Sequence, residues 1–482
     1  MSAIVQRVSG IDTNVVFAKA ANFVMATTFT IILSWTYKSV VSPWFSYMAF
    51  TYAPPATDVL VVGAMAAIIP SLLLPLKAKR AGDFILWVIY YALYIPAIAM
   101  PVLMGNLTHS QILALVGSLA AAFVIICIPR PATARETRPP SLTIKTSLFW
   151  VLFATLYAAL TIWLVAAYGG HLHLAGVQDV YAQRAAAANL SEGGLVGYAS
   201  GFLSGAFNPF LMAFGLTRGR KSLAALGAAG QVLVYATAAM KSVLLSVAFV
   251  PAFFVLVFRN EPFRLSRIGP AIVIPATVLA YFALDIRPGG EIGLLQLVVS
   301  LVYMRTFCMV GVLTSIYTEF FQLHPHTYFS HISILRMFID YPYSDALGRV
   351  IGGYLSPDLP MDANANFLAT DGMAGLGFWG IVLAGLFFRF FIALFDGVTQ
   401  PKDLALASCA LVPVLVGVTN SSMFTSLLTG GGVMLALLLY LHGNSVPDEH
   451  VPVNAGAGES GSSRPMALEE DPKTNDPRPC SA

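Results

Sequence analysis

The residues best equipped for chemistry fall between positions 304 and 372, and the sharpest stretch is Asp362-Ala-Asn-Ala-Asn-Phe followed by Asp371-Gly. Asn364 and Asn366 can each donate and accept hydrogen bonds, which suits sugar hydroxyls. The glycines that follow, from Gly372 to Gly380, allow close backbone approach. Glu319 and Asp371 offer carboxylates, and His331 an imidazole that titrates near neutrality. Arg305 and Arg336 lie in the same stretch, with Lys241 and Arg184 in other loops. Guanidinium groups grip phosphate through paired hydrogen bonds, and an ammonium acts as a point charge. These types in this order point to phosphate and sugar recognition beside a proton acceptor. Plainer roles stand next to these. Asn and Asp cap helices ahead of apolar runs, and long cationic side chains snorkel to headgroups or pair with local acids, as Asp285 and Arg287 can. His324-Pro-His326 and His331 lack the spacing of a chelating site, so no metal is expected.

Missing motifs narrow the chemistry. There is no P-loop and no dinucleotide fingerprint, so no nucleotide cofactor is expected. The acid pair of a metal-dependent sugar transferase is absent from the loops, and Glu469-Glu-Asp471 lies in the polar C-terminal tail. The cysteines, Cys127, Cys308, Cys409 and Cys480, form neither a disulfide framework nor a zinc pattern.

The elements that must position these residues are membrane spans. The chain is 57% hydrophobic and only 11% charged, whereas soluble domains carry about a quarter charged residues. Apolar runs cover residues 15–37, 84–104, 112–128, 148–168 and 271–284, with others ending at Lys77, Thr217, Met240 and Arg259. Residues 373–394, 404–419 and 424–441 complete the set. The first run is long enough to remain as a span instead of a cleaved leader. Residues 292–303 are short for a span and read as a re-entrant or interfacial helix ahead of Arg305. The fold class is therefore all-α: a polytopic protein of about 12 spans in one transmembrane unit, residues 1–442.

Lys and Arg crowd the linkers after the second, fourth, sixth and eighth runs and are nearly absent from the alternating set. The positive-inside rule then places both termini in the cytoplasm and residues 304–372 in a large extracytoplasmic loop. A loop of that length is usually functional. Residues 443–482 are polar and read as a disordered cytoplasmic tail. Nothing in the composition points to nucleic acid.

Several stretches taken together resemble the oligosaccharide repeat-unit polymerases of bacteria, the Wzy-type polymerases of O-antigen, capsule and exopolysaccharide. They are Val41-Ser-Pro-Trp-Phe-Ser-Tyr-Met-Ala-Phe-Thr-Tyr, Met240-Lys-Ser, Arg305 with Gly311, Tyr317-Thr-Glu-Phe-Phe, Tyr328-Phe-Ser-His, and the Asp362 and Asp371 segments. The Arg-x10-Gly pattern of some such enzymes is not reproduced, since Arg336 is followed by Gly348 one residue too far on. The resemblance implies a metal-independent glycosyltransferase of the bacterial inner membrane, working at its periplasmic face on undecaprenyl-diphosphate-linked oligosaccharide. Arg305, Lys241, Arg184 and Arg336 would hold diphosphate. Asp371, Glu319 or His331 would take the acceptor proton. Asp362, Asn364, Asn366 and Tyr317 would position sugars. Membrane lipid, a chain-length regulator and a flippase are the implied partners. The alternatives are a flippase or transporter of lipid-linked sugars, and a glycan ligase of related chemistry.

Overall fold

The computed structural model describes residues 13–128, 142–172, 174, 183, 195–259, 265–284, 293–332, 334–356 and 362–448. Long apolar runs become helices because a helix satisfies its own backbone where water is absent. In chain order these are α1 (Thr13–Met48), α2 (Thr57–Leu73), α3 (Ala81–Met104), α4 (His109–Cys127), α5 (Thr146–Tyr168), α6 (Val196–Thr217), α7 (Lys221–Ala238), α8 (Lys241–Phe258), α9 (Leu265–Leu284) and α10 (Leu294–Leu323). There follow α11 (Leu347–Leu355), α12 (Ala369–Val398), α13 (Pro401–Ala410), α14 (Val412–Val418) and α15 (Met423–Gly443). Among the described residues, ten of these helices are long and apolar enough to cross a membrane, or eleven if α13 and α14, bent by 46°, form one span. The protein is an all-α, multi-pass membrane protein.

The count differs from twelve in an informative way. The second and seventh apolar runs are helical, but α2 is short and α7 is not among the helices that meet the test. Pro70 tightens the end of α2, and the Lys19 ammonium closes it by donating to the carbonyls of Leu72 and Leu74. Conversely, the expected break before Arg305 does not occur. The helix runs through Arg305 to Leu323, so residues 304–323 belong to α10 and the polar connection begins at His324. It passes the charge by a π-turn, Met304–Cys308, in which the Met309 N–H donates to the Met304 carbonyl. A π-turn inserts one extra residue into the helix, and here Arg305 ends on the exposed surface.

The bundle has two distinguishable ends. At the basic end the Arg218 guanidinium pairs with Asp403 at 2.7 Å, and the Gly82 N–H donates to Asp396 at 2.7 Å. There too β1 (Ile144–Lys145) pairs in parallel with β2 (Ser445–Val446). The first residues of the expected tail are thus built into the fold; those from 449 onward lie outside the described residues. At the opposite end the Tyr37 hydroxyl donates to the Thr51 carbonyl at 2.6 Å, and Thr51 to the Met104 carbonyl at 2.9 Å. Helix α10 begins beside the end of α9, where Gln296 donates to the Ala283 carbonyl, and finishes beside Asn106. The start of α10 thus packs on the end of α9, and its last turns pack on the connection between α3 and α4.

Helix α3 forms the centre. Trp87, Tyr90, Tyr91 and Tyr94 are fully buried on it. Aromatic side chains with a polar tip need a partner when buried. Trp87 donates to the Pro75 carbonyl, Tyr90 to that of Ala67 and Tyr94 to that of Ala66, each at 2.7 Å. These bonds hold α3 against α2 and give α10 a fixed wall: Gly311 packs directly on the Pro96 carbonyl.

Candidate functional site

The six residues from Asn366 to Asp371 fold into a tight turn that opens α12. The Asn366 side-chain carbonyl accepts the N–H groups of Ala369 and Thr370 at 3.0 and 2.9 Å, and its amide donates to the Thr370 hydroxyl at 2.7 Å. Leu368 takes a left-handed conformation, φ 55°, so that residues Ala369–Met373 wind as a π-turn. The Thr314 hydroxyl of α10 accepts the Phe367 N–H at 3.1 Å and ties this turn to the helix beside it. Asn366 is buried and its amide is wholly engaged by the protein.

The turn delivers the Asp371 carboxylate to the start of α15. There it accepts the Ser422 hydroxyl hydrogen, the Met423 N–H at 2.7 Å and the Phe424 N–H at 3.2 Å. The first N–H groups of a helix have no partner within it, and a carboxylate is favoured by the positive end of the helix dipole. Asp371 is only 2% exposed. It caps a helix, as its residue type allows, but the helix is α15 and not the one that contains it.

His331 lies near enough to Asp371 to feel its charge. The connection 324–332 folds back onto α12, where the Thr327 N–H donates to the Ala374 carbonyl at 2.7 Å and the Tyr328 N–H to that of Gly375 at 3.2 Å. The Thr327 hydroxyl also donates to the Ala374 carbonyl, at 3.0 Å, and stands 2.9 Å from His331 Nδ1. When that hydroxyl hydrogen is on the Ala374 carbonyl, the Thr327 oxygen accepts from Nδ1 and Nε2 carries the free lone pair; when it is on Nδ1, Nε2 carries the imidazole hydrogen. His331 Nε2 is buried and has no protein partner among the described residues. Burial pushes the His331 pKa down from its ordinary value, and the Asp371 charge opposes this in part. The imidazole is therefore neutral at pH 7.

Among the described residues, two further buried polar atoms of this region lack a completed hydrogen bond: the Tyr317 hydroxyl, which approaches Thr370, and His326 Nδ1. His326 stacks on Phe321 and lies over Gly377, whose φ of +63° breaks α12 just above the turn. Buried polar atoms are nearly always paired, so a group of open ones marks a place for water or for ligand hydroxyls.

Glu319 stands one turn from Ser315 on α10. It accepts the Asn106 amide at 2.6 Å and the Tyr354 hydroxyl at 3.0 Å, while Ser315 donates to Asn106 at 2.8 Å. Phe320, His324, Tyr343 and Tyr354 stack beside it. The Arg336 guanidinium lies over the exposed side of Tyr341, 4.9 Å from the ring centre. Burial raises the Tyr341 phenol to about 12, with Arg336 acting in the opposite sense.

Arg305 and Lys241 are exposed, and no salt bridge holds either among the described residues. Arg349 is held loosely between Asp345 and Asp362, 3.9 Å from each. Asp362 thus takes part in a surface pair, which contributes little to stability. Asn364 packs its amide on Gly348, and the Ala363 N–H donates to the Gly348 carbonyl at 2.9 Å. Arg184 lies outside the described residues.

The structure brings Tyr317, His331, Asn366 and Asp371 together and sets Glu319 and Tyr354 on the same α10–α11 wall. Ser422, Thr327, Thr314 and Asn106 also belong to this assembly and were not singled out from sequence. Ser422 carried a signal: a Ser directly ahead of an apolar run is a cap residue. Thr314 and Asn106 carried none, because their partners are distant in sequence. No protein-family model matches the chain, and comparison with curated proteins and with solved structures yields no match.

Proposed function

We propose that this protein polymerises lipid-linked oligosaccharide repeat units at the outer face of a bacterial inner membrane. The observation that carries the reading is the His331 imidazole. It is neutral, its Nδ1 stands 2.9 Å from the Thr327 hydroxyl, and its buried Nε2 has no protein partner among the described residues. A neutral imidazole with an open nitrogen is what a proton-accepting step requires. Asp371 suits that step less well, since its oxygens are occupied by Ser422, Met423 and Phe424. It serves instead to position the turn and to favour the imidazolium when His331 takes a proton.

In the proposed reaction the acceptor sugar hydroxyl gives its proton to His331 Nε2 while its oxygen attacks the anomeric carbon of the donor glycan. The bond from that carbon to the lipid diphosphate breaks, and undecaprenyl diphosphate leaves with the electron pair. Arg305 and Lys241, both exposed and free of salt bridges among the described residues, stabilise the charge on the leaving diphosphate. The aromatic faces of Tyr343 and Tyr354 supply apolar surface for sugar rings.

The deciding experiment is polymer length in a deletion strain complemented with His331→Gln or Arg305→Ala. Accumulated single repeat units on the outer leaflet, with both variants failing at normal protein levels, support the reading. Repeat units retained on the cytoplasmic side would make the protein a flippase. Full-length polymer that is never transferred to its final acceptor would make it a ligase. Normal polymer in the deletion strain would end the proposal.

A further inference from the structure

A second feature lies on the opposite face of α1 from the α9 and α10 contacts and does not depend on the polymerase reading. Thr27, Thr30, Ile31, Ser34, Trp35 and Lys38 recur at helical spacing and line a groove of about 480 Å³ whose other wall comes from α2 and Leu103. The hydroxyls of Thr27 and Thr30 donate to the carbonyls of Phe23 and Ala26 at 2.8 Å and so are engaged within α1. Ile31, Trp35 and Leu60 are 60%, 61% and 47% exposed and form its open lips. The twelve residues from Thr27 to Lys38 rise about 16 Å over eleven steps, close to half the roughly 30 Å apolar core of a bilayer. The groove therefore spans about one leaflet.

Its polar end carries a cation. The Lys38 ammonium lies 5.4 Å from the centre of the Tyr52 ring. The first acid after it in the chain, Asp58, is held by His109 at 3.0 Å, and no salt bridge engages Lys38 among the described residues. Lys38 sits at the end of the bundle where Tyr37 and Thr51 meet, so an apolar slot as deep as one leaflet ends in an ammonium that lies by Tyr52 and makes no salt bridge among the described residues. We infer that this groove binds one anionic glycerophospholipid of the surrounding bilayer, with an acyl chain along Ile31 and Trp35 and the phosphodiester at Lys38. One ammonium matches the single charge of a phosphodiester; a lipid diphosphate carries more charge and calls for more than one cation.

Trp35 makes the test direct. The full-length protein is placed in vesicles of phosphatidylcholine containing either brominated phosphatidylglycerol or brominated phosphatidylcholine, and quenching of the fluorescence lost in Trp35→Phe is recorded. The expected result is about a fivefold preference for phosphatidylglycerol, the size of the effect of one cation near an anionic headgroup. Lys38→Gln should abolish the preference and Lys38→Arg should keep it. Ala64→Phe, which fills the groove, should reduce quenching by both lipids, and thermal unfolding controls for the fold of each variant. Equal quenching by the two lipids in the unaltered protein, or an undiminished preference in Lys38→Gln, would overturn the inference. Displacement of brominated phosphatidylglycerol by undecaprenyl phosphate at lower concentration than by unlabelled phosphatidylglycerol would assign the groove to the isoprenoid carrier and would likewise overturn it.

Discussion

The Asp371 carboxylate holds the Ser422 hydroxyl across 51 residues of chain and joins the opening turn of α12 to the opening turn of α15. A helix cap contributes about 0.5–2 kcal/mol, and leaving buried N–H groups unpaired costs about 1–3 kcal/mol more. Asp371→Ala should therefore lose about 2–4 kcal/mol and unfold at clearly lower temperature in detergent, with Ser422→Ala closer to 1 kcal/mol. An unchanged melting temperature in Asp371→Ala would show that the cap contributes nothing.

The pH dependence follows from His331. Burial holds its folded-state pKa below the ordinary histidine value. Between the two values the unfolded chain binds more protons, so stability rises with pH there. The contribution is complete above about pH 6.5 and is lost as the pH falls toward the folded-state pKa. Activity should fall over the same acid range if Nε2 accepts the proton. Replacing His331 with Gln should remove that limb from melting curves taken between pH 5 and 7.5. An acid limb that persists in the variant would place the titrating group elsewhere.

Arg305 provides the opposite signature. It is exposed in the π-turn of α10 and makes no salt bridge among the described residues. Arg305→Ala should leave the melting temperature within experimental error, since surface substitutions usually change stability by less than about 0.5 kcal/mol. Polymerisation of a lipid-diphosphate donor in membranes should fall about 10²–10³-fold, the range for loss of one preorganised charge donor. Retained activity would remove Arg305 from the diphosphate site.

Gly311 tests the frame. A Cβ there would meet the Pro96 carbonyl and the Met100 side chain. Gly311→Val should displace α10 from α3 and cost at least about 1–3 kcal/mol as overpacking, while Gly353→Ala, where a Cβ meets open space, should not. Comparable thermal stability of the two variants would contradict the close packing of α10 on α3.

Much of the scaffold was legible in the sequence because the bilayer imposes a length on each apolar run, and α3, α4, α5 and α12 lie close to where the runs predicted them. The continuity of α10 was not legible. A charge inside an apolar run reads as a boundary, and only the backbone shows that a π-turn moves Arg305 to the surface. At the site, Asp371 and His331 stood out by residue type, but Ser422 and Thr327 beside them did not, because their hydrogen bonds to Asp371 and to the Ala374 carbonyl link distant parts of the chain. Asn366 stood out by residue type, but its turn, formed with the two N–H groups that follow it, leaves no trace in composition.

The two-residue pairing of Ile144–Lys145 with Ser445–Val446 bears on how the protein is made. The first partner leaves the ribosome some three hundred residues before the second, and the Thr146 hydroxyl waits as long for the Val446 carbonyl. The segment ahead of α5 can be fastened only after Ser445 and Val446 have been made, and a chain cut before Ser445 would lack this tie at the basic end.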